Sequence, residues 1–319
     1  MRNFLYVFFF ICSTALSQNY ELVDKVVGEY PPFYSLNSLS NRIKNDFKTE
    51  TDKVRAAYTW IAKNIDYDLG TYKKPRALSA IMYVTEKGYE IELKKRLKRK
   101  VEIALISRKT LCEGYSAMFV ELCNLLNIES VIIKGVSKVD PSEINEYRTT
   151  KNHAWNAVKI NNKWQLLDIT WSSGFVEPVS GKWINSFNDF FYFTNPESFI
   201  TSHFPQFNEW QLLDTPISLE SFFEKPIFYA HYFKSNIELD ENQKGEIKVL
   251  ENLIVLNFNR TNKNDNLYYT LSGDKYVKRL RVKKNKDDTY SALIRYKAKT
   301  SNILTLYINL KPAIDFKIN

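Results

Sequence analysis

The chain has 319 residues, 44% of them apolar and 25% charged, enough for roughly two domains with cores that stand without disulfide staples. Ordinary composition excludes a disordered chain, and only 9 Gly and 10 Pro exclude collagen-like or linker-like sequences. The net charge of +9 is concentrated in two stretches: residues 241–319 carry 16 Lys/Arg against 8 Asp/Glu, and residues 87–109 carry nine against three. The remainder is slightly acidic.

Arg2 is followed by an uncharged run from Phe4 to Cys12, then by Ala15 and Ser17. A basic start, a short apolar run and small residues predict a signal peptide over residues 1–17, cleaved near Ser17, so that the mature protein is exported to the periplasm, cell surface or medium. The run is too short to span a bilayer. Lipid attachment at Cys12 would need a small residue before it, and Ile11 stands there. Residues 18–45, with Pro31-Pro32, are a candidate peptide lying across a cleft.

From residue 45 to 127 the pattern is helical. Thr49-x-x-Asp52 resembles a capping box ahead of Val54, Ala57, Tyr58, Ile61 and Ile65. A second helix is expected over 89–106, with Leu93, Leu97, Val101, Ala104 and Leu105 as its apolar stripe and the basic residues opposite. Such a stripe is a solvated face or a docking site for an acidic polymer or membrane surface. Aromatics are not interleaved with the charges, which argues against nucleic acid. A third helix starts at Cys112, with Tyr115, Phe119, Leu122 and Leu126 on one face and a stop at Asn127. Cys112 and Cys123 then lie about 16 Å apart along one axis, too far for a disulfide. Cys123 falls on the core side, whereas Cys112 sits at a helix N-terminus, where the dipole favours a thiolate.

Val131–Val136, His153–Ile160 and Lys163–Thr170 read as strands, the last two joined by Asn161-Asn162, a pair suited to a tight hairpin. Pairing residue 160 with 163 gives partner numbers that sum to 323, so His153 is expected opposite Thr170 and diagonal to Asp168. Nucleophilic cysteine catalysis needs a thiolate, an imidazole and a carboxylate to orient it. Cys112, His153 and Asp168 supply these three groups, and the Cys112 backbone N–H is a candidate oxyanion donor. Trp155, Trp164 and Trp171 should cluster around them, mostly as packing. Ser172–Lys182 reads as a loop beside the hairpin. His203 and His231 read as structural, and there is no metal-ligand spacing, so no metal or cofactor is expected.

Leu111-Cys-Glu-Gly-Tyr-Ser-Ala117, Asn152-His-Ala-Trp-Asn156 and Lys163-Trp-Gln-Leu-Leu-Asp-Ile-Thr-Trp171 together resemble the transglutaminase-like superfamily, and most closely its kyphoscoliosis peptidase branch. Ala57–Ile61 with Asn64–Asp68 resembles that branch's first helix, and Phe191–Glu197, Ser202–Pro205 and Trp210–Leu213 resemble the stretch after its core. The resemblance covers residues 50–230 and implies an α+β, papain-like/transglutaminase-like fold, a helix bearing the Cys packed on an antiparallel sheet. It implies Cys112 as nucleophile, His153 as base and Asp168 as orienting carboxylate, with acyl transfer from peptide or protein amides through a thioester. Water as acceptor makes a cysteine peptidase or amidase; an amine acceptor makes a crosslinking transglutaminase. A non-catalytic surface or periplasmic scaffold is the third reading.

After residue 236 the periodicity changes to short alternating strands: Ile254–Phe258, Tyr268–Leu271, Val277–Val282, Ala292–Ala298, Ile303–Leu310 and Ile314–Ile318. The expected organisation is a transglutaminase-like domain over 18–235, with its core at about 50–175, and a small immunoglobulin-like β-sandwich over 236–319. The sandwich's basic balance is a second candidate for acidic contacts.

Overall fold

A computed structural model describes residues 20–74, 83, 85–177, 179–262, 264–297 and 302–319. The expected signal peptide lies outside the described residues, as does Ala298 at the end of one expected strand. Among the described residues no helix is long and apolar enough to cross a membrane.

The first half is a helical layer on a sheet. Its helices are α1 (Tyr20–Gly28), α2 (Leu36–Asp46), α3 (Glu50–Asn64), the short α4 (Leu69–Lys73), α5 (Glu86–Ser107) and α6 (Cys112–Leu125). Two parallel fragments, β1 (Asp66–Tyr67) and β2 (Lys109–Thr110), pair with each other. The Thr49 hydroxyl caps α3 by accepting from the Asp52 N–H at 3.1 Å, as the capping pattern predicts. Residues 20–46 are not a loose peptide over a cleft: Val23, Val27, Leu39 and Ile43 are buried in the same core as α3 and α6. Buried Arg55 holds α1 against α3 through two bonds to the Asp24 carboxylate, at 2.8 and 2.6 Å. Helix α5 buries Val101, Ala104 and Leu105 near its end and leaves Lys94, Lys95, Lys98 and Arg99 exposed.

The sheet has the order β5-β4-β3-β8 and is antiparallel throughout, with β3 spanning Ser130–Ser137, β4 His153–Ile160, β5 Lys163–Leu167 and β8 His203–Pro205. Asn161 and Asn162 both take positive φ, 49° and 63°, so they form the tight turn that their sequence demands. The pairing runs from Ile160↔Lys163 to Asn156↔Leu167, the expected register. It ends there. Asp168 leaves the strand and caps α7 (Ile169–Ser173), accepting from the Trp171 N–H at 3.1 Å. Thr170 is therefore helical and does not face His153. The expected loop at 172–182 is a hairpin instead, β6 (Gly174–Val176) against β7 (Trp183–Asn185), with Gly181 at φ 61° in its turn. Ser172 and Ser173 close α7 rather than opening a loop.

A connecting stretch holds α8 (Pro196–Phe199), α9 (Leu219–Glu224), β9 (Ile227–Phe228) and α10 (Ala230–Phe233). The remaining strands form two sheets over one apolar core. One sheet joins β10 (Glu238–Leu239), β12 (Leu253–Arg260), β16 (Tyr290–Arg295) and β15 (Val282–Lys284). The other joins β11 (Glu246–Ile247), β18 (Lys311–Ile318), β17 (Ile303–Ile308), β13 (Leu267–Leu271) and β14 (Lys278–Arg279), with β9 paired to β18. Alternation works as expected: Ile254, Leu256 and Phe258 are buried on β12 while Val255 and Asn257 face out.

Candidate active site

Cys112 is the first residue of α6, and Leu111 before it offers no side-chain cap. The first-turn N–H groups and the helix dipole therefore act near the thiol. Two features hold the helix start in place. Buried Asn156 on β4 donates to the Ser116 carbonyl of α6 and to the Val131 carbonyl of β3, both at 3.1 Å, tying helix to sheet. Gly114 lets Thr110 lie against the helix, since a Cβ there would meet the Thr110 hydroxyl oxygen at 1.9 Å. Cys112 is partly exposed, whereas Cys123 is fully buried, and burial pushes the Cys123 thiol up to about 12. The two cysteines are free, as their spacing requires.

His153 opens β4. Its Nε2 lies 2.6 Å from Asp168 Oδ2, and its side chain also hydrogen-bonds Cys112. With Nε2 committed to the carboxylate, Nδ1 is the nitrogen that serves the thiol. The structure thus brings Cys112, His153 and Asp168 together in one chain of contacts. Asp168 is fully buried, and its two oxygens divide their work: Oδ1 caps α7 and Oδ2 takes the imidazole.

Oδ2 takes a second imidazole as well. His203 Nε2 lies 3.0 Å from the same oxygen, and the Ser202 hydroxyl lies 2.8 Å from His203 Nδ1. A reading of His203 as merely structural misses this. The two residues are 35 apart in sequence, and only the pairing of β8 with β3, Ser137↔His203, brings them together. The Ser202–Pro205 resemblance was the available signal. His231 instead bonds the Ile308 carbonyl at 3.0 Å, in the C-terminal region.

Electrostatics separates the two rings. Burial disfavours cationic His153, but the charge and hydrogen bond of Asp168, with Cys112, hold it up at about 10. Burial pulls His203 down to about 4 despite Asp168. Burial alone would raise Asp168, yet His153 and His203 hold its carboxyl well below the usual carboxylate range. These shifts favour a carboxylate at Asp168, a proton on His153 and an uncharged ring at His203.

The ligand atoms of His153, Asp168 and His203 lie within 4.8 Å of one another, a spacing that a metal ion could exploit. Ligands around a tetrahedral zinc, at about 2.1 Å from the metal, stand about 3.4 Å apart. The 2.6 Å contact between His153 and Asp168 is closer than that and is a hydrogen bond. The donor set is therefore engaged internally, and it fits a proton-handling network better than a metal centre.

Trp171 covers both imidazoles, its ring centroid 5.5 Å from His153 and 4.3 Å from His203, and buried Trp155 flanks them from the other side. Trp164 is paired with Trp210. A cleft of about 530 Å³ is lined by Asp66, Tyr67, Asp68, Lys73, Lys109 and Trp183 among others, and not by Cys112 itself. Tyr67 connects the two, since it lines the cleft and its phenol is close enough to Cys112 to feel its charge. Glu113, next to Cys112, pairs with both Lys100 of α5 and Lys134 of β3.

Residues 37–169 match the model of the transglutaminase-like superfamily. Human kyphoscoliosis peptidase is 30% identical over 217 residues, which cover 66% of this chain and 30% of that protein. Drosophila melanogaster hillarin is 26% identical over 147 residues, 42% of this chain and 18% of that protein. The chain thus spans less than a third of the length of these relatives. Among solved structures, one of a TGase is 18% identical and covers 58% of this chain and 40% of its own, with a TM-score of 0.30.

Proposed function

We propose that this protein, whose residues 37–169 form a domain of the transglutaminase-like superfamily, is an exported cysteine-dependent acyl-transfer enzyme that hydrolyses peptide or protein amides. The observation that carries this reading is the chain from partly exposed Cys112 through His153 to fully buried Asp168, at a helix N-terminus beside a cleft. The Cys112 thiolate attacks the amide carbonyl, and the helix start, including the Cys112 N–H, faces the oxyanion that forms. His153 gives its proton to the leaving amine as the C–N bond breaks, leaving a thioester. It then takes a proton from water as that water attacks the thioester and the C–S bond breaks, releasing the acid and restoring the thiolate–imidazolium pair. Asp168 holds the ring in the tautomer that keeps Nδ1 toward sulfur.

Charged Asp66, Asp68, Lys73, Lys109 and Lys182 stand in the cleft's lining beside Tyr67, Leu69 and Trp183, and on this reading they keep water at the site, which supports hydrolysis over amine transfer. An enzyme that must spare a thioester for an amine keeps water out. Alkylation by iodoacetamide at pH 6.5, followed site by site by mass spectrometry, tests the pair. Cys112 should react at least tenfold faster than Cys123 in the folded protein, and His153→Ala should remove most of that advantage. Equal rates in wild type and His153→Ala would overturn the reading. A quenched peptide library and a labelled primary amine then separate hydrolysis from crosslinking.

A further inference from the structure

We infer that His203 is a positioning residue of this site: an imidazole that donates from Nε2 to Asp168 Oδ2 and thereby sets how strongly Asp168 holds His153. The inference rests on the proposed reading of Cys112, His153 and Asp168, and concerns a residue that reading does not use.

The argument is one of donors and acceptors. An ionised carboxylate only accepts, so the nitrogen facing it must carry hydrogen. His203 Nε2, 3.0 Å from Oδ2, is therefore the protonated nitrogen. The Ser202 hydroxyl at 2.8 Å from Nδ1 can donate to the lone pair that remains, which completes a neutral ring. Burial and the neighbouring His153 disfavour a second cation, against the pull of Asp168 and the Phe199 carbonyl. His203 is 1% exposed, packed against Phe199 at 4.2 Å and Trp171 at 4.3 Å between ring centroids, and its ring is 5.4 Å from that of His153. Tyr58 and Tyr115 also lie near Asp168, and burial keeps both phenols protonated, so they add no charge.

The consequence is a fixed and moderated carboxylate. The Trp171 N–H holds Oδ1, and Oδ2 is shared between two N–H donors. Sharing weakens each bond, because every donor draws on the same oxygen. His203 thus keeps Asp168 from taking the Nε2 proton of His153, so the ring stays anchored through Nε2 while its Nδ1 proton goes to the leaving group.

Because the chain contains 3 histidines, ¹⁵N-imidazole NMR of the full protein resolves the question directly. At pH 6.5 the expected spectrum shows His203 neutral with hydrogen on Nε2 and His153 doubly protonated. His203→Phe, which keeps the ring but removes the donor, should move the His153 Hε2 resonance downfield, as Asp168 becomes a stronger acceptor. His203→Gln, whose amide N–H falls near the Nε2 position, should restore it, whereas His203→Asn is too short and should behave like Phe. The inference is overturned if His203 carries hydrogen on Nδ1 alone or carries the cation. It is equally overturned if folded His203→Phe leaves the His153 resonance unmoved. Should His203→Phe fail to fold, the wild-type tautomer and the Gln-against-Asn contrast decide the matter. Failure of the underlying reading looks different: Cys112 alkylation would then ignore His153→Ala while the tautomer of His203 stays as inferred.

Discussion

The two halves of this molecule bury different things. Around the sheet that carries His153, the interior holds Arg55, Thr59, Lys138, His153, Asn156, Asp168, Ser172, Ser173 and His203 beside its apolar side chains. In the C-terminal two-sheet region, the core runs from Ile237 to Ile318 in aliphatic and aromatic residues, and Asp315 is the one buried polar residue among those described there. A buried polar group costs free energy unless it is fully partnered. The first half tolerates that cost where it needs fixed geometry: Asn156 between helix and sheet, and Asp168 between two imidazoles. The second half is held together by apolar burial. Buried polarity, more than pocket shape, distinguishes the region that holds the proposed site.

The largest effect that would sharpen this contrast is expected from Asp168→Asn. It leaves two histidines without a charged acceptor and should lower turnover about 1000-fold or more, with a loss of about 3 kcal/mol in denaturant unfolding. Leu306→Ala in the fully buried core of the other half should cost a similar 2–5 kcal/mol, roughly, yet leave the Cys112 alkylation rate at 20 °C unchanged. A change in that rate would break the contrast, by showing that the C-terminal core supports Cys112.

A pH series gives an intermediate effect. His153 is held above its ordinary value, so its contribution is full below about 6.5 and is lost as pH rises toward about 10. His203 is held below its ordinary value, so its contribution is full above about 6.5 and is lost as pH falls toward about 4. Denaturant midpoints should therefore fall on both sides of neutrality. His153→Ala should flatten the alkaline limb and His203→Gln the acid limb. Midpoints whose limbs are unaltered by these substitutions would locate the pH dependence elsewhere. The smallest effect is expected at Asn162→Ala, where a left-handed backbone at φ 63° should cost about 1 kcal/mol without altering the alkylation of Cys112.

Much of the site was legible in one dimension because its parts are local. Helix α6 begins at Cys112, where apolar spacing and the preceding residues say it must. The Asn161-Asn162 turn sets the β4–β5 register by steric necessity, which carries Asp168 toward His153. The departures come where local rules compete. Asp168 sits on alternating residues that read as strand, but an Asp followed by Ile-Thr-Trp-Ser-Ser also makes a good helix cap, and the cap wins. The 172–182 segment has loop composition yet pairs as a hairpin, because Gly174 can lie where a Cβ would meet the Ile184 carbonyl at 2.1 Å. The short strands β9, β10 and β11 are only two residues each, too short for any period to show.

Sequence by itself carried the resemblance of residues 37–169 to the transglutaminase-like superfamily, the helix that carries the thiol, the register of the hairpin and the choice of three groups for the proposed triad, all of which follow from motifs and from neighbours within a few residues. Tertiary structure alone decided that His203 joins Asp168, that residues 20–46 complete the core, and that β9 closes onto β18. These are contacts between distant segments. Their free energy comes from burying surfaces that meet only once the chain has folded, and no local pattern records which surface will meet which.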